Sequence, residues 1–135
     1  MCRKLVLSTL LSSIAFVAFS ADAPDTLAKR RYPGVGRIIE VDFDGNAYEL
    51  RFAWDGRTMT FTGVRGKDIG NTETVEYKAV ATAYGQYMVY WQEPIFRANV
   101  VHVQNWLTHE VYTNISEENL VFNNWAGTFI LKGWL

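Results

Sequence analysis

The residue best placed for chemistry is a glutamate at the end of an aromatic, strongly β-forming stretch. Glu93 closes the run Tyr87-Met88-Val89-Tyr90-Trp91-Gln92-Glu93 ahead of Pro94. Period-two alternation puts Tyr87, Val89, Trp91 and Glu93 on one face of a strand, with Met88, Tyr90 and Gln92 on the other. A carboxyl on an aromatic, filled face is partly desolvated. Desolvation raises its pKa and suits it to proton transfer or to recognition of a ligand donor. The competing reading makes Glu93 a strand-end residue at a rim, exposed or capping the loop before Pro94.

Around it, Trp91 and Tyr87 are candidate walls of a ligand site, and Tyr77, Tyr90 and Tyr112 are candidates to turn hydroxyls inward; all are equally consistent with plain core. His102 sits in the apolar run Val100-Val101-His102-Val103, where a core or rim histidine with one hydrogen bond is the alternative to a functional one. His102 and His109 are the only histidines, and no Asp or Glu cluster stands at ligand spacing near them, so no dedicated metal site is expected. Beyond residue 20 the chain has one serine, Ser116, with no histidine near it in sequence, which argues against a serine-nucleophile hydrolase. Gly34-Val35-Gly36 lacks the third glycine and following helix of a dinucleotide site, and no cofactor is expected.

The elements that must position these groups are strands. Val35, Arg37, Ile39, Val41 and Phe43 share a face of the first, and Asp44-Gly45-Asn46 turns the chain. Tyr48, Leu50, Phe52 and Trp54 share a face of the second, followed by Asp55-Gly56, a two-residue hairpin signal. Thr58, Thr60 and Thr62 alternate with Met59 and Phe61, and a charged loop spans Arg65 to Asn71. Thr74 to Ala83, Tyr87 to Glu93, Ala98 to Asn105, His109 to Ile115 and Gly127 to Lys132 continue the pattern, with a short strand near Leu120 to Phe122. No segment has a 3.6-residue period. About eight short strands with short turns predict an all-β domain: a small antiparallel up-and-down barrel, or a sandwich. An eight-stranded barrel is wide enough for side chains or one small ligand. Large residues on both faces of several strands are accounted for by an outer face covered by a partner or a second copy in a homodimer, or equally by a sandwich.

The N-terminus reads as an export signal. Arg3 and Lys4 precede a largely apolar run of fifteen residues, Leu5 to Phe19, and Ala18-Phe19-Ser20 offers small residues for cleavage before Ala21. That run is short for a membrane span, which needs roughly 20 residues; an uncleaved anchor is the alternative. Residues 1–20 are therefore expected to be a signal peptide, 21–33 a flexible polar leader, and 34–135 the domain, in the periplasm or secreted. The only cysteine, Cys2, falls within the signal, so the mature chain would carry no disulfide. Its 13 basic residues less Arg3 and Lys4 leave 11 against 14 acidic, a net charge of −3. That balance provides no basic footprint for nucleic acid or an anionic membrane.

The segments Glu73 to Val80, Tyr87-Met-Val-Tyr-Trp-Gln-Glu-Pro94, Val100-Val-His-Val103 and Val111-Tyr-Thr-Asn-Ile115 together resemble the MoaF-like proteins, named for molybdenum-cofactor biosynthesis protein F. The resemblance spans roughly Gly34 to Gly133 and implies a lipocalin-like (calycin) barrel. The family name implies a link to molybdopterin synthesis. A more distant similarity is to phenolic acid decarboxylases, which share the barrel and a Trp-x-Glu-Pro element whose glutamate, catalytic in that family, falls at Glu93. The family's tyrosine pair falls near Val41 and Phe43, and its arginine near Asn71. The resemblance thus carries over the carboxylate without the groups that would hold a phenolic acid.

Three functions are consistent with these residues: a barrel binding a small, largely apolar or aromatic ligand; an enzyme using Glu93 as general acid or base, assisted by His102 or a tyrosine; or a solid barrel acting through its surface.

Overall fold

The computed structural model describes Thr26, Leu27 and residues 29–135. The proposed signal peptide, residues 1–20, and most of the beginning of the leader lie outside the described residues. Eight strands follow in order: β1 (Arg37–Phe43), β2 (Asn46–Phe52), β3 (Thr58–Arg65), β4 (Thr72–Ala83), β5 (Gln86–Glu93), β6 (Ala98–Asn105), β7 (Glu110–Glu117) and β8 (Phe122–Trp134). Each pairs antiparallel with its neighbours, and β1 pairs with β8, closing an up-and-down barrel. Closure decides between barrel and sandwich, and it leaves no free sheet edge.

Local chemistry explains the chain reversals. Asp44 and Gly45 both take positive φ, 54° and 93°, and the Asp42 carboxylate accepts the Gly45 N–H at 2.8 Å. This is the primed two-residue turn that matches strand twist. The Asp55-Gly56 signal resolves differently. The loop runs from Ala53 to Arg57, because Asp55 accepts the N–H groups of Arg57 and Thr58 and the Thr58 hydroxyl, holding a wider turn open. Trp54 therefore leaves the face of Leu50 and Phe52 and stacks on Trp134 at 5.6 Å. The two C-terminal strands expected near Leu120–Phe122 and Gly127–Lys132 are one continuous β8. Gly127 permits this: a Cβ there would lie 2.2 Å from the Asp42 carbonyl oxygen on the neighbouring strand.

Alternation sorts the interior as expected along most strands. Ile39, Val41, Leu50, Phe52, Met59, Val89 and Val111 are almost wholly buried. The two ends of the barrel differ. At the end nearest the β4–β5 and β6–β7 turns, Tyr32 plugs the interior, with edge contacts to Phe52, Tyr77, Tyr87 and Trp106 at 5.2–5.9 Å. Tyr32 is only 5 % exposed. The leader assigned to residues 21–33 thus ends inside the domain: its aromatic ring fills volume that the strands alone leave open, and Leu27 packs against the same cluster.

Candidate functional site

The opposite half of the barrel is hollow. A cavity of about 290 Å³ lies among the inward faces of β1, β2, β3, β5, β6 and β7. Its walls include Phe43, Leu50, Phe61, Trp91 and Val100, and its rim is formed by the β3–β4 and β5–β6 connections, represented by Asp68 and Phe96, and by Trp125 near the start of β8. The volume falls near the lower end of the range for small-molecule pockets, roughly 300–1,000 Å³.

Strand register brings the chemistry-bearing side chains together. Glu93 pairs with Ala98, Trp91 with Val100 and Val89 with His102 between β5 and β6; His102 pairs with Thr113 between β6 and β7. Alternation turns Trp91, Glu93, His102 and Thr113 to the inside, and all four line the cavity.

Glu93 is the acid of the site. The Trp91 indole N–H donates to its Oε1 at 2.9 Å. Burial pushes the Glu93 carboxyl up to about 7; the Trp91 bond opposes that rise, and the Glu73 and Asp68 carboxylates add to it. Glu73, 8 % exposed, stands just behind the rim, where its Oε1 accepts the Ile95 N–H at 3.2 Å and its Oε2 has no partner among the described residues. A carboxyl held near neutrality can accept or donate a proton, or change its hydrogen-bonding role, within the physiological range.

A second polar pair closes one side of the rim. The Tyr48 hydroxyl donates to Asp68 Oδ2 at 2.5 Å. Burial raises the Tyr48 phenol far above its ordinary value, and the Asp68 carboxylate raises it further, so it stays protonated. Asp68 reaches this position because the β3–β4 loop folds back over Gly63. A Cβ on Gly63 would lie 2.0 Å from the Asp68 carbonyl oxygen.

His102 lies deeper, 3 % exposed, edge-on to Trp91 at 4.8 Å and to Phe43 at 5.8 Å. Burial pushes its pKa down to about 3, so it is a neutral imidazole at any physiological pH. Thr113 is 4 % exposed, and its hydroxyl has no hydrogen-bond partner among the described residues. Those residues contain no cluster of three or more His, Cys, Asp or Glu side chains arranged to hold a metal ion.

Of the residues singled out from sequence, Glu93, Trp91 and His102 meet in the cavity. Tyr77 and Tyr87 do not: they pack in the aromatic plug around Tyr32, with the Tyr87 hydroxyl donating to the Arg31 carbonyl oxygen at 3.3 Å. Burial raises the Tyr77 phenol to about 12. Tyr112 is excluded from the interior altogether. It is 59 % exposed, because the register that turns Val111 and Thr113 inward turns Tyr112 out. Tyr90 likewise faces outward on β5. Tyr48, Asp68 and Thr113 went unrecognised in the sequence. Thr113 shares the parity of Val111, which local alternation does not choose over that of Tyr112; Asp68 sits in an irregular loop and gives no periodic signal.

A family model described as MoaF-like matches residues 35–130. The chain belongs to the MoaF-like family. Among solved structures, this MoaF-like barrel is similar to one titled "Crystal Structure of a putative beta-lactamase from Burkholderia vietnamiensis". The two share 31% sequence identity, with 76% of this chain and 99% of that chain covered and a TM-score of 0.71. No curated protein matches the chain.

Proposed function

We propose that this MoaF-like barrel binds a small, largely aromatic molecule in its interior, with Glu93 as the polar contact nearest the mouth. One observation carries the reading: a cavity of about 290 Å³ with aromatic walls holds a carboxyl whose pKa is pushed up to about 7. An apolar wall supplies affinity through area removed from water, and a few convergent polar groups supply orientation. The beta-lactamase wording of the similar structure is not carried over as acyl-serine chemistry. The one serine among the described residues, Ser116, alternates outward between Ile115 and Glu117, both of which line the cavity.

Native mass spectrometry of the protein purified from its own host, beside Glu93→Gln, tests this reading. A small molecule retained by the first and weakened in the second supports it. Absence of any adduct, joined to no thermal shift with simple benzenoid probes, would count against a ligand cavity.

A second reading is favoured by the same carboxyl. A group titrating near 7 beside a substrate-sized cavity suits general acid–base catalysis on a small organic molecule. Turnover with a pH–rate limb near 7 that disappears in Glu93→Gln would separate an enzyme from a carrier. The setting we infer for either role is the periplasm or the exterior, supported by the Arg3-Lys4 and Leu5–Phe19 pattern. N-terminal sequencing of the protein from an exported fraction checks it.

A further inference from the structure

The cavity has polar groups at its deep end that the Glu93 reading does not use, and their hydrogen-bond polarity is determined by a relay from the N-terminal segment. The Trp106 indole nitrogen can only donate, and it donates to Gln104 Oε1 at 3.2 Å. The Tyr32 hydroxyl donates to the same oxygen at 2.6 Å. Gln104 is wholly buried, so these two donors set the orientation of its amide. Its nitrogen then faces His102 Nδ1 at 3.5 Å. An amide nitrogen is a donor, so Nδ1 is the acceptor and the proton of the neutral imidazole resides on Nε2.

Among the described residues the side-chain hydrogen bond of the His102 ring is the one at Nδ1, which leaves Nε2–H for a group in the cavity. Across the β6–β7 pair stands Thr113, 4 % exposed, with its buried hydroxyl unpartnered among the described residues. Both side chains line the cavity. A buried hydroxyl such as that of Thr113 is costly to leave unpaired, roughly 1–3 kcal/mol in native proteins, and the usual resolution is a partner in the adjoining space.

We propose that His102 Nε2–H and the Thr113 hydroxyl form a two-donor recognition site for an acceptor oxygen, so that the barrel's ligand class is a small aromatic carbonyl compound. The assignment rests on the cavity-binding reading above and deepens it. Tyr32 and Gln104 act as positioning residues: they do not reach the ligand, but they select the imidazole tautomer that presents a donor. The carbonyl enters first, toward the deep end, and the ring lies against Trp91 and Phe43. Glu93 then meets whatever substituent the ligand carries toward the mouth.

The experiment uses acetophenone and ethylbenzene, which share a ring and chain and differ in the oxygen, on the mature protein labelled with 15N at histidine. Three results are expected. The His102 nitrogens report the Nε2–H tautomer, and Gln104→Leu turns it into a mixture. Acetophenone shifts the Nε2 resonance and ethylbenzene does not. The preference for acetophenone over ethylbenzene falls about fivefold in Thr113→Val, the loss of one neutral hydrogen bond. An Nδ1–H tautomer, or a preference unchanged in Thr113→Val while both probes bind, overturns the two-donor site and leaves the binding reading standing. Failure of both probes to bind overturns the binding reading and the site with it.

Discussion

The Trp91 indole donates to the carboxyl of Glu93, two residues further along the same face of β5, at 2.9 Å. That bond couples a fluorophore to the one acid among the described residues that is raised to about 7. A wild-type minus Glu93→Gln difference in tryptophan emission is therefore expected to titrate with a midpoint near pH 7. A difference spectrum flat between pH 5 and 9 would remove Glu93 as the titrating group.

The same shift has a consequence for stability. The folded protein holds the Glu93 proton to about 7, whereas an unfolded glutamate releases it near 4.5. Between those values the folded state binds more protons, so stability falls as pH rises. The contribution is full below pH 4.5 and lost through pH 7. Glu93→Gln should gain on wild type between pH 5 and 8 by an amount on the order of 2 kcal/mol, read from urea midpoints at the two pH values. A gap that narrows over this range would reverse the assigned direction.

Tyr32 is expected to behave as core. Tyr32→Phe keeps the ring and loses the bond to Gln104, at a cost of about 1 kcal/mol. Tyr32→Ala empties the plug and costs about 3–5 kcal/mol, by the pattern of large-to-small aromatic replacements. Equilibrium unfolding of both variants checks this, and an alanine variant as stable as wild type would return the segment to the status of a leader.

Tyr48→Phe removes the tie between β2 and the β3–β4 loop while leaving the ring in the cavity wall. Amide exchange should quicken in residues 66–71, and stability should fall by roughly 1.5–3 kcal/mol, the range for a bond to a charged group. Gly63→Ala should loosen the same loop for a different reason, because the added Cβ displaces the Asp68 carbonyl. Unaltered exchange in both variants would show that neither contact holds the rim.

Tyr112→Ser provides the contrasting case. The side chain is outside the barrel, so the tryptophan titration and probe binding should match wild type. A changed titration midpoint would mean the outer face of β7 communicates with the interior.

Period-two alternation, with Asp-Gly and Tyr-Gly turns, determined that the chain forms short antiparallel strands, and for most strands it determined which residues face inward. That put Trp91 and Glu93 on one filled face but left open whether Glu93 and His102 stood inside or at a rim, since parity along a strand is a local property and depth in the barrel is not. The residues named for the MoaF-like resemblance lie within the span the family model matches. Closure, the plug and the far wall of the site were decided by tertiary structure. Val111 and Tyr112 are adjacent and both large, and only pairing of β7 with β6 selects which of them faces inward. Tyr32 reads as a polar leader residue until the closed barrel leaves a hole of its size. Asp68 meets Tyr48 through a loop fold that depends on the missing Cβ of Gly63. Each of these depends on space between distant segments, which the barrel's closure sets and no local pattern records.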